Sequence, residues 1–280
     1  MRNWCSSGLL AAAVLTLCWG GTVVGVSSCG SSSGTVQTLT AEERYDLAKR
    51  KFDDHDYTEA ISEFEIVRLQ FPGSSVADKA QYYLAESHFN QEEYLLAAEE
   101  YQALKRNMPA SPLIPLAQYK IGLCYYNLSP TLDLDQSYAA RAIDELQTFI
   151  EYNPSHELVK DAEAKIQELN ARLAGKLFDA AQLYMKMEYY KAATLYFNDV
   201  TEKYHDSPYA APALLGKVRA LIARKRYDEA KPEIDKFLDR YPASGLRGEA
   251  ESLQRDIDDH MKSKSALVSP GEIPRFPNCT

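Results

Sequence analysis

An interval of 37 residues constrains this chain more than any other feature. Tyr45, Ala48, Phe52, Tyr57, Ala60 and Pro72 return 37 residues later as Tyr82, Ala85, Phe89, Tyr94, Ala97 and Pro109. Tyr119, Gly122 and Tyr126 extend the series, and Tyr190-Lys191-Ala192-Ala193 returns after the same interval as Tyr227-Asp228-Glu229-Ala230. Such self-similarity marks an array in which each unit buries its apolar face only against its neighbours. Within a unit the apolar residues recur at three- and four-residue spacings, the period of a helix, and no strand-like alternation competes. Small residues such as Ala48 and Ala60 mark close approaches of paired helices. Pro72-Gly73-Ser74, Pro109-Ala110-Ser111 and Pro242-Ala243-Ser244 punctuate the array. Pro ends one pair and Ser is expected to N-cap the next.

Helix pairs with this punctuation resemble the tetratricopeptide family. The expected fold class is all-α: a tetratricopeptide-repeat solenoid of five helix-pair units at 41–74, 78–111, 115–155, 174–207 and 211–244, with a closing helix at 246–262. NLSPTLDLDQSY, from Asn127 to Tyr138, is an insertion between the helices of unit three. The segment from His156 to Met187 has no Pro and a sustained apolar stripe, so it reads as one long helix or two nearly continuous ones. The chain therefore divides into repeats one to three (41–155), then a connecting helix with repeats four, five and the closing helix (156–262), then a Pro-rich tail (263–280) expected to be disordered.

Residues 1–28 read as a lipoprotein signal peptide. Arg2 is their one charge, and Gly8 to Val26 is almost wholly apolar or small. Val26-Ser27-Ser28-Cys29 resembles a bacterial lipobox, in which Cys29 is the lipidation site. Two alternatives stand beside it: a membrane span, which Gly20, Gly21 and Gly25 interrupt, and an ordinary cleavage site next to an incidental cysteine. With Cys29 acylated, 29–40 is a flexible tether to the membrane. Gly30, rather than Asp, after the cysteine is compatible with the periplasmic face of the outer membrane.

Cleavage leaves 252 residues (280 less 28) and, with Arg2 gone, moves the formal charge from −9 to −10. That acidic balance argues against nucleic acid as a partner, which calls for clustered Lys and Arg. Three cysteines remain, so no disulfide framework is expected: Cys29, Cys124 as a small core residue, and Cys279 as a free thiol in the tail. His55, His88, His156, His205 and His260 share no ligand spacing with Cys or acids, and Asp133 and Asp135 suit a solvated turn better than a cation site. Phosphate-cradling loops and a nucleophile elbow are missing from the sequence, so neither metal, cofactor nor catalysis is expected.

The distinctive side chains are aromatic. Tyr45 with Phe52, Tyr82 with Phe89, and Tyr119 with Tyr126 stand seven residues apart on one side of each first helix. In the resembled fold the first helices line a concave groove, where such a ladder could stack on a bound peptide. Because Ala48, Ala85 and Gly122 lie within four residues of both members of each pair, the same stripe also suits the core seam, the commoner use of helical periodicity. Lys49, Asp53, Glu86 and Asn90 are the better candidates for exposed groove contacts.

LDQSYAARAIDELQTFIEYNPS at 134–155 and AEAKIQELNARLAGKLFDAAQLYMKMEYYKAATLYFNDVTEKYHDS at 162–207 are similar to outer-membrane assembly lipoproteins of the BamD (ComL) type. The resemblance spans roughly residues 40–260 and includes five repeats, a lipobox, an insertion in the third repeat before Asp135-Gln136, and a long connecting helix. It implies a non-enzymatic subunit of the machinery that inserts β-barrel proteins. The N-terminal repeats would receive unfolded barrel substrates in the Tyr45–Tyr126 region, and units four and five would dock the periplasmic domains of a BamA-type barrel protein. The alternative is a general envelope scaffold for Tol-like, cell-wall or polysaccharide-export components.

Overall fold

The computed structural model describes residues 39–129 and 136–268, with side chains described to residue 263. The signal peptide, Cys29, most of the tether, Asp133, Asp135 and Cys279 lie outside the described residues. Eleven helices appear among those described. Five pairs follow the repeats: α1 (Ala41–Asp53) with α2 (Tyr57–Gln70), α3 (Ala77–Asn90) with α4 (Tyr94–Asn107), α5 (Ile114–Leu128) with α6 (Ser137–Tyr152), α7 (Val159–Lys186) with α8 (Tyr190–Lys203), and α9 (Ala210–Ala223) with α10 (Tyr227–Arg240). α11 (Arg247–Val268) closes the array. Each helix packs on its chain neighbours, the nearest-neighbour pattern of a solenoid.

The small residues of the repeat sit at the helix crossings. Ala48, Ala60, Ala85, Ala97, Ala142, Ala181, Ala193 and Ala230 have no exposed surface. Against them, at equivalent places in the second helices, pack Phe64, Tyr101, Leu146, Phe197 and Ile234, all fully buried. Gly122 shows why nothing larger fits: a Cβ there would lie 2.6 Å from the Leu146 side chain. Ala97 and Ala142 are 45 residues apart rather than 37, which sizes the unit-three insertion at eight residues.

Two features of the turns were not legible beforehand. The serines of the Pro-x-Ser signal are not N-caps. Ser111 and Ser244 each accept the N–H two residues on, from Leu113 and Leu246 at 3.2 Å. An extra tight turn thus precedes the helix that follows each of these prolines, and before α3 and α5 the N-cap falls on Val76 and Leu113, with no side-chain cap. Within units, His55, Glu92, Glu188 and Lys225 adopt φ between 58° and 64°. The next N–H reaches back to the carbonyl five residues earlier, Asp56 to Lys51, Glu93 to His88, Tyr189 to Tyr184 and Arg226 to Leu221, each at 2.9 Å. This is the left-handed helix stop that ordinarily calls for glycine; without glycine as a marker, the sequence hides it. α1 does use side-chain capping: Thr40 and Glu43 form a reciprocal capping box.

α7 is one unbroken helix of 28 residues, about 42 Å long at 1.5 Å per residue. Its first half packs on unit three, where Ala162 meets the Tyr119–Phe149 cluster. Its second half is the first helix of unit four, where Ala174 and Ala181 pack with Phe197. The closing helix runs six residues past its expected end at 262, which corrects the start of the expected tail. MKSKSALV contains no residue that stops a helix before Pro270.

Candidate protein-binding surfaces

The aromatic ladder is mainly packing. Tyr82 and Tyr119 are 7 % and 6 % exposed, and Tyr45, Phe52, Phe89 and Tyr126 are half-buried against the same clusters. The Tyr45 ring packs at a tilt against Phe64 and Tyr83, and its burial raises its pKa to about 12. The outer members of the ladder are covered by cations. Lys49 lies 4.9 Å from the Tyr83 ring and 5.4 Å from Phe52, Lys120 lies 4.6 Å over Phe89, and Lys165 lies 4.7 Å over Tyr126 with Arg172 at 5.5 Å. Lys49 is also ion-paired to Asp53 across one helical turn. Asn90 is exposed and donates to the Glu86 carbonyl at 2.8 Å.

Glu86, expected as an exposed groove contact, is instead buried at 9 % exposure. Its carboxylate accepts the Tyr82 hydroxyl at 2.7 Å and the Tyr101 hydroxyl at 2.5 Å, and pairs with Lys120 at 2.8 Å. The correction has a physical basis. One turn beyond Tyr82, a residue on α3 faces α4 and α5 together, and three hydrogen-bond donors compensate its desolvation there. Burial and the adjoining carboxylate push the Tyr82 and Tyr101 hydroxyls well above the ordinary phenol range. Tyr119 is raised by burial and by its hydrogen bond to Asp161. Further along, Tyr126 donates to Glu168 at 2.6 Å, a bond that chiefly raises the phenol and lowers the carboxyl.

A second polar series escaped the sequence reading. Arg44 pairs with Glu63, Gln81 donates to the side chain of Glu100 at 2.6 Å and to its carbonyl at 3.0 Å, and Gln118 does the same to Glu145 at 2.7 and 2.9 Å. Arg44, Gln81 and Gln118 stand 37 residues apart, so the period itself was the available signal. Leu214 and Leu177 stand at the equivalent first-helix places in units five and four; Leu214 is fully buried and Leu177 packs against the unit-four core. Unit five uses Lys217 instead, bonded to Asn198 at 2.8 Å and Glu233 at 2.6 Å. Cys124 is fully buried, and desolvation raises its thiol to about 12, which suits an inert packing residue.

Exposed large apolar side chains cluster at one place. Leu183, Met187, Tyr189 and Leu195, each at least half exposed, lie within 13 residues around the α7–α8 turn. Beside them Tyr189, Tyr190, Lys191, Ala192, Leu195 and Arg224 line a hollow of about 560 Å³. Among the described residues no three His, Cys, Asp or Glu side chains gather as a metal site, and no helix is long and apolar enough to cross a membrane.

A protein-family model described as YfiO, outer membrane lipoprotein, matches residues 37–221, more than half of the chain. No curated protein matches. Among solved structures, the TPR2AB domain of yeast Sti1 in an HSP90 complex is 15 % identical over 81 % of this chain and 86 % of that one, with a TM-score of 0.40. A tetratricopeptide repeat protein from Parabacteroides merdae is 17 % identical over 81 % and 75 %, with a TM-score of 0.35. Superpositions this loose carry no argument, and the fold rests on the observed helix pairing.

Proposed function

The chain belongs to the YfiO family of outer membrane lipoproteins, and from that premise we propose that it is a lipid-anchored, non-catalytic scaffold of β-barrel protein assembly, held at the periplasmic face through Cys29. The observation that carries this reading is α7: one helix packs into both halves of the solenoid. A surface on units one to three and a surface on units four and five are thereby held in fixed relation, as a scaffold linking two clients requires. The first half would receive unfolded barrel segments along the cation-covered ladder from Lys49 to Tyr126. The second half would dock the periplasmic domains of a BamA-type barrel protein.

The test is mass spectrometry of proteins co-purified in mild detergent with a tagged copy from its own host. Recovery of a large outer-membrane barrel with periplasmic repeat domains supports the assembly role. Recovery of Tol-like or cell-wall proteins without that barrel moves the function to general envelope scaffolding. Cys29→Ala should release a folded protein from membranes, and persistence after a high-salt wash would overturn the anchor.

A further inference from the structure

Four of the eight exposed large apolar side chains lie at the tip of unit four, where α7 turns into α8. Leu183 and Met187 are one helical turn apart on the end of α7, and Tyr189 and Leu195 continue the apolar surface on α8. The cations around them are equally unusual. Lys191 and Arg224 line the hollow, and Lys186 and Lys225 adjoin Met187 and Arg224 in the chain. Among the described residues, none of the four has an ion pair; Arg224 makes one long contact, 3.5 Å to Thr194. Glu188 is the one acid lining the hollow. On a chain of formal charge −9, this is a local positive site with an apolar centre.

That composition is the signature of an interfacial membrane contact: apolar and Tyr side chains at the headgroup boundary, ringed by cations whose aliphatic stems also bury. The patch sits on helix ends and a turn, so it can touch a flat surface without burying the solenoid. Resting on the reading that Cys29 is acylated, the ten residues from Cys29 to Leu39 can span at most about 35 Å. The anchored chain is therefore confined to the neighbourhood of one bilayer, which raises the effective concentration of that surface for even a weak contact. A second copy would bring the same four cations together, which disfavours self-association. We infer that the α7–α8 tip of unit four docks on the anionic phospholipid surface of the membrane that holds the acyl anchor, with Tyr189 at the interface and Lys186, Lys191, Arg224 and Lys225 on the headgroup phosphates.

The mature chain offers a clean reporter, because both tryptophans, Trp4 and Trp19, precede Cys29. Tyr189→Trp in the acylated protein is reconstituted into phosphatidylethanolamine vesicles with and without phosphatidylglycerol, some carrying bromines on the acyl chains. A contact reaching ~5–10 Å into the headgroup boundary predicts a blue-shifted emission, quenched about twofold by bromine in the anionic vesicles. It should be restored by high salt or by the pair Lys191→Glu and Arg224→Glu. Flotation of the same samples reports the anchor separately, so failure of lipidation and failure of docking are distinct. Unquenched emission in floating protein overturns the inference, as does equal quenching in the charge-reversed pair. A blue shift that appears only on adding barrel-protein periplasmic domains, or only with rising protein concentration, overturns it in favour of a protein partner or a second copy.

Discussion

Units one to three and units four and five are built on one repeat but hold their helices differently. In the first half each pair is clasped by a polar side chain, Arg44, Gln81 or Gln118, reaching a Glu on the second helix. Adjacent first helices are tied by Glu86–Lys120, Tyr119–Asp161 and Tyr126–Glu168. In the second half buried Leu214 and the core-packed Leu177 stand where the clasps would be, Phe178 and Phe197 fill the seam, and the leftover apolar surface emerges at Leu183–Leu195. Hydrogen-bonded clasps add geometric selectivity, whereas apolar packing is tolerant of exchange. The first half is thus the more strictly registered surface, and the second gathers its exposed apolar side chains at one tip.

The widest expected gap between the halves comes from the carboxylates paired with Lys120 and Lys217, of which Glu86 is buried and Glu233 partly exposed. Glu86→Ala strands Lys120 and two tyrosine hydroxyls and should cost about 3–5 kcal/mol. Glu233→Ala leaves Lys217 its bond to Asn198 and should cost about 1–3 kcal/mol. Denaturant melts of both variants decide it, and equal costs would erase the contrast. Close approaches sharpen it further. A Cβ at Gly216 meets the rigid Phe197 ring at 2.5 Å, while one at Gly122 meets the pliable Leu146 at 2.6 Å. Gly216→Ala should lose about 3 kcal/mol and Gly122→Ala about 1 kcal/mol, read as midpoint shifts.

Alkaline pH should separate the halves without mutation. Tyr45, Tyr82, Tyr101 and Tyr119 have raised pKa values in the first half, against Tyr204 in the second. A phenol raised on folding contributes stability in full below its unfolded value of 10, and that contribution is lost as pH rises from 10 toward the folded value. Proteolysis mapped across this range should cut units one to three first; simultaneous cutting would overturn the assignment. The smallest effect tests the shared turn. Glu92→Gly and Lys225→Gly place glycine where φ is 64° and 58°, and each should stabilise by about 0.5–1 kcal/mol in thermal melts, alike in both halves.

Much of the fold was legible because close packing leaves the sequence little choice. Ala48, Ala85 and Gly122 announce helix crossings wherever a larger side chain would collide, and the 37-residue period repeats the announcement. The candidate groove was less legible. Asp53 and Asn90 lie exposed and Lys49 partly exposed, as a polar residue suggests, but Glu86 is buried, because its position on α3 faces α4 and α5 and finds three donor side chains. The polarity of one residue does not record the donors that a distant segment supplies.

The helical solenoid, its number of units and the place of its insertion were determined by the sequence alone, since they follow from local periodicity and from small residues at fixed spacing. Tertiary structure decided that the helix joining the two halves, α7, is one unbroken helix rather than two, that the aromatics of the ladder are roofed by cations, and that unit four carries unpaired apolar surface. These depend on which side chains meet across units, and the energy of such meetings belongs to pairs of residues that no local pattern brings together.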